Sequence, residues 1–443
     1  MNHSARESVD LIVQSSWIVP VVPQSTVLKD HALAIRDHRI VAIAKQVDID
    51  NRYQASEKVQ LDSHVLIPGL VNAHGHSPMA LFRGIADDIP LMQWLEERIW
   101  PLEGKHVSAD FVHDGSQLAM AEMIAGGTTC FADMYFFPDE VAKAASDINL
   151  RVQLASPVLD FPTVWAQDAE EYISKATRLH DDYRGSDVVY TAFGPHAPYT
   201  VSDGPLQKIA MLAEELDVPI HMHLHEAAQE VEDAVASDGR RPLQRLKDLG
   251  VISPRLLCVH ATQLQTEEME LLASQGASVI HCPSSNLKLA SGFCAVEKLR
   301  QTGVNVALGT DGAASNNDLD MFGEMQLAAM LAKAVAEDAS ALPAAAALEM
   351  ATINGARALG LDNDLGSLEP GKFADMAAID LNALNTLPVN NPLSHLVYAC
   401  HASQVTDVWC GGKALLRNRE PQTVDMAVIQ QKAAHWQNKF AEA

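Results

Sequence analysis

Cysteine is scarce in this chain, with six among 443 residues. Cys130, Cys258, Cys282, Cys294, Cys400 and Cys410 include no Cys-x-x-Cys pair. That excludes a disulfide framework and a thiolate zinc knot, and predicts six buried thiols. Cations are also in short supply: 32 Lys and Arg stand against 57 Asp and Glu, a formal net charge of -25. Nucleic acid and anionic membrane surfaces need clustered Lys and Arg, so both are excluded as partners and a small neutral substrate fits better. No uninterrupted run of 18 apolar residues occurs, and the opening Met1-Asn2-His3-Ser4-Ala5-Arg6-Glu7 lacks a basic-then-apolar leader pattern. The expected location is the cytoplasm.

What is present is the balance of an ordinary globular protein, 48% hydrophobic and 20% charged,. From Val9 to Val65 short β-rich runs alternate with turn-like polar stretches, and comparable runs return at 375–379 and 405–409 before Gly411-Gly412. The two ends are expected to share one sheet. Between them, apolar strands alternate with helical patterns at 66–74, 128–133, 152–159, 189–193, 220–225, 256–260, 278–281 and 304–309. Eight such strands predict an α/β fold: a (β/α)8 TIM barrel with a small β-sandwich domain built from both chain ends. The expected boundaries are 1–67 and 366–443 for the two parts of the β domain, the latter with a tail helix, and 68–365 for the barrel. The Ala-rich tract from Ala328 to Gly360 is helical in period and is assigned no chemistry.

Barrel strands are apolar until their C-terminal ends, where the polar residues appear, so the site is expected at that rim. The first strand runs into His74-Gly75-His76, and side chains two apart on a strand share a face,. The fifth reads His221-Met222-His223-Leu224-His225-Glu226, the sixth ends in His260, and the eighth leads to Asp311. Imidazoles and one carboxylate converging on a rim, with a position left open for water, suit zinc or iron hydrolysis chemistry. The bland alternative makes these residues satisfied core histidines or helix caps. His221, His223 and His225 lie on one strand face, and spacing alone does not choose among them.

Together with Pro68-Gly69-Leu70-Val71-Asn72-Ala73, Gly194-Pro195-His196-Ala197-Pro198, His281-Cys282-Pro283-Ser284-Ser285-Asn286 and Gly366-Ser367-Leu368-Glu369-Pro370-Gly371, these motifs resemble the amidohydrolase superfamily. Within it they are most similar to the 5'-methylthioadenosine and S-adenosylhomocysteine deaminases, the branch related to triazine hydrolases. The resemblance implies His74, His76, His223 and Asp311 as ligands of one divalent metal, Zn2+ in the first place and Fe2+ in the second. It implies Glu226 as the proton shuttle, and His260 and Asp311 as the groups beside the reacting water. Strand four has no lysine to carbamylate, so a single-metal site is expected.

Glu103, in the stretch Leu91 to Glu103, resembles the family's ribose-binding glutamate, and His196 its second ribose contact; Glu226 and Asp311 would also meet the substrate. Family members that take S-adenosylhomocysteine place arginines just after strand three, where this chain reads Ala155-Ser156-Pro157-Val158-Leu159-Asp160-Phe161-Pro162. The expectation is therefore an aminohydrolase acting on an adenosine-type nucleoside, with 5'-methylthioadenosine preferred and S-adenosylhomocysteine and adenosine as further candidates. Arg151 is a possible substitute for the missing arginines. Met92, Trp94 and Trp100 fit an apolar purine pocket, but such residues are more often core. Two other readings stand beside this one: a hydrolase of a free ring such as guanine, cytosine or an s-triazine, and a metal-free scaffold. Homo-oligomers are common in the resembled family, yet no residue here marks an interface.

Overall fold

In the computed structural model residues 6 to 441 are described. Met1–Ala5 of the opening stretch and the last two residues of the tail lie outside them. Two eight-stranded sheets organise the chain. The first begins with β1 (Glu7–Ile18), β2 (Leu28–Arg36), β3 (Arg39–Lys45) and β4 (Tyr53–Pro68). The barrel follows as β5 (Leu70–Asn72), β6 (Thr128–Asp133), β7 (Arg151–Val158), β8 (Val189–Pro195), β9 (Ile220–Leu224), β10 (Leu256–His260), β11 (Ser278–His281) and β12 (Asn305–Leu308). The chain then returns to the first sheet through β13 (Met376–Asp380), β14 (Val405–Cys410), β15 (Lys413–Arg417) and β16 (Glu420–Pro421).

The expected sharing of one sheet by both ends is what the structure has. β13 pairs antiparallel with β4, and the strand order is β16-β15-β14-β13-β4-β1-β2-β3. The first of the short β-rich runs are not separate: β1 carries the chain from Leu11 to Ile18 as one strand across an irregularity between Ser15 and Trp17.

All eight barrel strands are parallel and run in sequence order. Ala73 N donates to Leu308 O across 2.9 Å, joining the end of β5 to β12. β6 and β7 are buried at every residue, as expected for a sheet with helices outside and packed side chains within,. The six cysteines are free and buried.

The first barrel strand departs from expectation. The apolar run through Val65–Val71 is divided between two sheets, β4 ending at Pro68 and β5 beginning at Leu70. Gly69 makes the crossing, and a Cβ there would lie 2.0 Å from Thr129 Oγ1. At the junction Arg151 Nε meets Asp375 Oδ2 at 2.8 Å, and both side chains are 4% exposed. The helix Met426–Ala441 docks on the helix Ala109–Ala125, with Trp436 Nε1 donating to Asp114 Oδ2. No helix among the described residues is long and apolar enough to cross a membrane.

Candidate active site

The C-terminal ends of β9 and β10 and the segments that follow β5, β8, β9 and β12 converge at the C-terminal rim of the barrel. His74 and His76 lie past the end of β5 rather than on it, and the loop is held by Asp311 N donating to His74 O at 3.0 Å. Both imidazoles nevertheless reach one point: His74 Nε2 and His76 Nε2 stand 3.4 and 3.2 Å from Asp311 Oδ1. The ligand atoms of His74, His223 and His260 lie within 4.8 Å of one another, as do those of His74, His76 and Asp311.

The hydrogen bonds behind these groups determine which ring nitrogens are presented. His76 donates Nδ1–H to Met134 O at 2.6 Å, and His223 donates Nδ1–H to His196 O at 2.8 Å. A carbonyl only accepts, so Nε2 of each ring keeps its lone pair for the cavity. His74 Nε2 is buried with no hydrogen-bond partner. Asp311 accepts at Oδ2 from Ser285 Oγ and Ser315 Oγ, at 2.6 and 3.0 Å, and at Oδ1 from Gly312 N. The Nε2 lone pairs of His76 and His223, with the unpartnered Nε2 of His74 and the Asp311 carboxylate beside them, fit a divalent metal,.

Of the three histidines that spacing could not separate, only His223 lines the cavity. His221 is fully buried with Nε2 at 2.8 Å from His74 Nδ1. His225, at φ 54°, turns its ring away, and its Nε2 accepts from Leu243 N. The backbone N–H groups of His225 and Glu226 both donate to the Glu230 carboxylate, at 3.0 and 2.7 Å, which anchors the turn carrying Glu226. His260 and Asp311 also adopt left-handed backbone, at φ 72° and 63°. Such strain persists only where neighbouring contacts over-determine it, and it clusters at functional sites.

Glu226 Oε2 lies 3.8 Å from His260 Nε2, and His260 Nδ1 donates to Asn286 Oδ1 at 2.8 Å. Burial raises the Glu226 carboxyl above its ordinary value while His260 opposes the rise,. Burial would raise Asp311 too, yet the His74 and His76 imidazoles beside it hold it well below the usual carboxylate range. Burial pushes His196 down to about 4.

These groups open on a cavity of about 330 Å³, within the range of small-molecule sites,. Glu103 and His196 stand on its wall, as do Trp94 and Trp100, whereas Met92 does not line it. Glu103 Oε1 accepts from Tyr135 Oη at 2.7 Å, and burial raises its carboxyl to about 7. The outer wall is apolar, with Leu159, Phe161, Pro162 and Val164 from the loop after β7. Among the described residues lining the cavity there is no lysine or arginine. Arg151 does not substitute for one, because it is the first residue of β7, at the far end of the barrel, and is paired with Asp375. Asp160 accepts from Ser202 N at 2.7 Å instead of facing the cavity.

Tyr135, Ser285, Ser315, Asn286 and the His221 contact are the parts of the site that motif spacing does not single out. Only the Ser285 and Asn286 positions carried a signal, as members of the run His281 to Asn286.

Comparison with known proteins agrees with this geometry. Residues 65–415 match the amidohydrolase family. A 5-methylthioadenosine/S-adenosylhomocysteine deaminase of Saccharophagus degradans is 53% identical over 431 residues, covering 97% of each chain. The protein of the same name from Teredinibacter turnerae is 51% identical over 433 residues, covering 98% of each. The crystal structure of an adenosine deaminase from Xanthomonas campestris with bound zinc superposes with a TM-score of 0.98 at 49% identity, covering 99% of this chain and 100% of that one. By fold, by the convergence at the rim and by similarity along nearly its whole length, the chain belongs to the amidohydrolase family and, within it, to the 5-methylthioadenosine/S-adenosylhomocysteine deaminases.

Proposed function

We propose that this chain hydrolyses the 6-amino group from adenosine-type nucleosides in the cytoplasm, with 5'-methylthioadenosine preferred, giving 5'-methylthioinosine and ammonia. The observation that carries the reading is the shared cavity: Glu226 and His260 face one another across 3.8 Å beside the imidazole and carboxylate cluster, and Glu103 and His196 stand on the same wall. The protein of Xanthomonas campestris, with its bound zinc, supports Zn2+ as the metal that His74, His76, His223 and Asp311 would hold.

Such a metal supplies Lewis acidity, which makes water nucleophilic near neutral pH. Glu226, whose carboxyl is raised by burial, gives its proton to N1 of the purine as the C6–O bond forms,. Asp311 and His260 orient the reacting water and take its proton. The C6–N bond then breaks as the proton taken from the water passes to the amino nitrogen, which leaves as ammonia, while the proton of the C6 hydroxyl returns to Glu226 and restores it. Glu103 and His196 accept from and donate to the ribose hydroxyls, which aligns the purine with Glu226. The apolar wall at Phe161 and Val164, free of lysine and arginine, suits the methylthio group and offers nothing to the carboxylate of S-adenosylhomocysteine,. The division of the chain into 1–67, 68–365 and 366–443 is proposed on the same footing, supported by the crossing between sheets at Gly69 and the return at β13.

Product analysis tests the reaction: zinc-loaded protein with 5'-methylthioadenosine should release one ammonia per nucleoside and convert the adenine absorbance to that of hypoxanthine. Intact nucleoside after incubation with a fully loaded sample would sink the proposal.

A further inference from the structure

His74 differs from the other imidazoles of the cluster in what stands behind it. His76 and His223 each lean on a backbone carbonyl, at Met134 O and His196 O, and carbonyls only accept,. Behind His74 Nδ1, at 2.8 Å, is Nε2 of His221, an imidazole nitrogen that either accepts or donates,. Both rings are 0% exposed, with ring centroids 5.0 Å apart. His221 Nδ1 and His74 Nε2, the outer nitrogens of the pair, have no hydrogen-bond partner.

The pair therefore has two arrangements. If His74 donates Nδ1–H to His221 Nε2, His74 Nε2 presents a lone pair to the cluster and His221 carries its proton on Nδ1. If His221 donates Nε2–H to His74 Nδ1, the His74 proton sits on Nε2 and points at Asp311 Oδ1, 3.4 Å away. A metal is compatible with the first arrangement alone, because a protonated ring nitrogen is not a ligand.

We propose that His221 is a positioning residue for the metal centre, accepting the Nδ1–H of His74 and so fixing that ring in its ligating tautomer. The role requires an acceptor at this place, and the inference rests on the metal reading given above. β9 supplies the geometry, since His221 and His223 are two apart on one strand face and His221 sits one layer deeper in the barrel,.

The test compares His221→Leu, which has no acceptor, and His221→Gln, whose amide oxygen accepts, with the unaltered chain. Zinc affinity is measured by competition with a chromogenic chelator, and folding of the metal-free proteins by thermal unfolding. Loss of an imidazole's supporting partner typically weakens metal binding by about 10- to 100-fold; that loss is expected in H221L, with H221Q recovering most of it. Equal affinities in all three proteins, or equal losses in both variants, would overturn the inference. Should H221L not fold, nitrogen-15 NMR of the ring nitrogens in the zinc-loaded unaltered chain decides: a proton on His221 Nδ1 supports the role, and one on Nε2 overturns it. Failure of the unaltered chain to bind zinc would instead remove the metal reading itself, which separates the two claims.

Discussion

The phenolic hydroxyl of Tyr135 donates to Oε1 of Glu103 across 2.7 Å, tying the helix Trp100–His106 to the loop that follows β6. Glu103 is thereby held at the cavity wall. A hydrogen bond to a charged acceptor contributes about 1.5–3 kcal/mol. Glu103→Gln is therefore expected to lower kcat/KM for 5'-methylthioadenosine by roughly tenfold to a hundredfold, mainly through KM, and Tyr135→Phe to act in the same direction. Steady-state kinetics check this; an unchanged KM in both variants would contradict the ribose contact.

The same carboxyl predicts a pH dependence. Burial raises Glu103 to about 7. Its charged form, the better acceptor, prevails above that value and is lost as pH falls through it. KM for the nucleoside is expected to climb on the acid side of about 7 and to lose that limb in Glu103→Gln. A limb that persists in the variant would assign it to another group.

Replacing Glu226 with Gln keeps the size of the side chain and removes its titrating proton. Turnover should fall by about 10²- to 10⁴-fold, the usual contribution of a general acid–base group, with metal content unchanged by elemental analysis. Full activity at full metal occupancy would contradict the proton-shuttle role.

Away from the site, Asp375→Asn removes one member of the buried Arg151–Asp375 pair, and Asp375 also accepts from Gly411 N at 2.6 Å. An uncompensated buried charge costs about 3–5 kcal/mol. The urea midpoint should drop accordingly while KM of the folded protein stays put. A stable variant with altered KM would mean that the pair acts on the site instead of on the junction between barrel and sheet.

Much of this was legible because barrel strands announce themselves. Thr128–Asp133 and Leu256–His260 are apolar to their ends and occupy the predicted residues. The Val65–Val71 run misled for a physical reason: both sheets bury their strands, so a single apolar stretch does not reveal the crossing at Gly69. His74 and His76 were expected to reach one metal as neighbours on a strand face, and instead converge from a loop pinned to Asp311 N. Period-two spacing likewise treats His221, His223 and His225 alike, whereas the break at the end of β9, with His225 at φ 54°, gives each a different neighbour. Tyr135 and Ser315 are isolated polar residues without pattern, and only folding shows that they touch Glu103 and Asp311.

The proposed preference for 5'-methylthioadenosine rests on a cavity wall with no lysine or arginine among the described residues. Val164→Arg, on the exposed side of that wall, should raise activity on S-adenosylhomocysteine relative to 5'-methylthioadenosine by about tenfold, since a paired carboxylate and guanidinium form charge-assisted hydrogen bonds. No change in the ratio would place the 5'-substituent elsewhere.

The central claim is tested most directly by kcat/KM of the zinc-loaded chain on 5'-methylthioadenosine, S-adenosylhomocysteine, adenosine and guanine, followed by ammonia release in parallel. The account predicts 5'-methylthioadenosine first, with S-adenosylhomocysteine behind by about tenfold or more, as the missing cation on the cavity wall requires. Turnover of guanine with none of the adenine nucleosides would contradict the roles given to Glu103 and His196, and would make the chain a hydrolase of free rings.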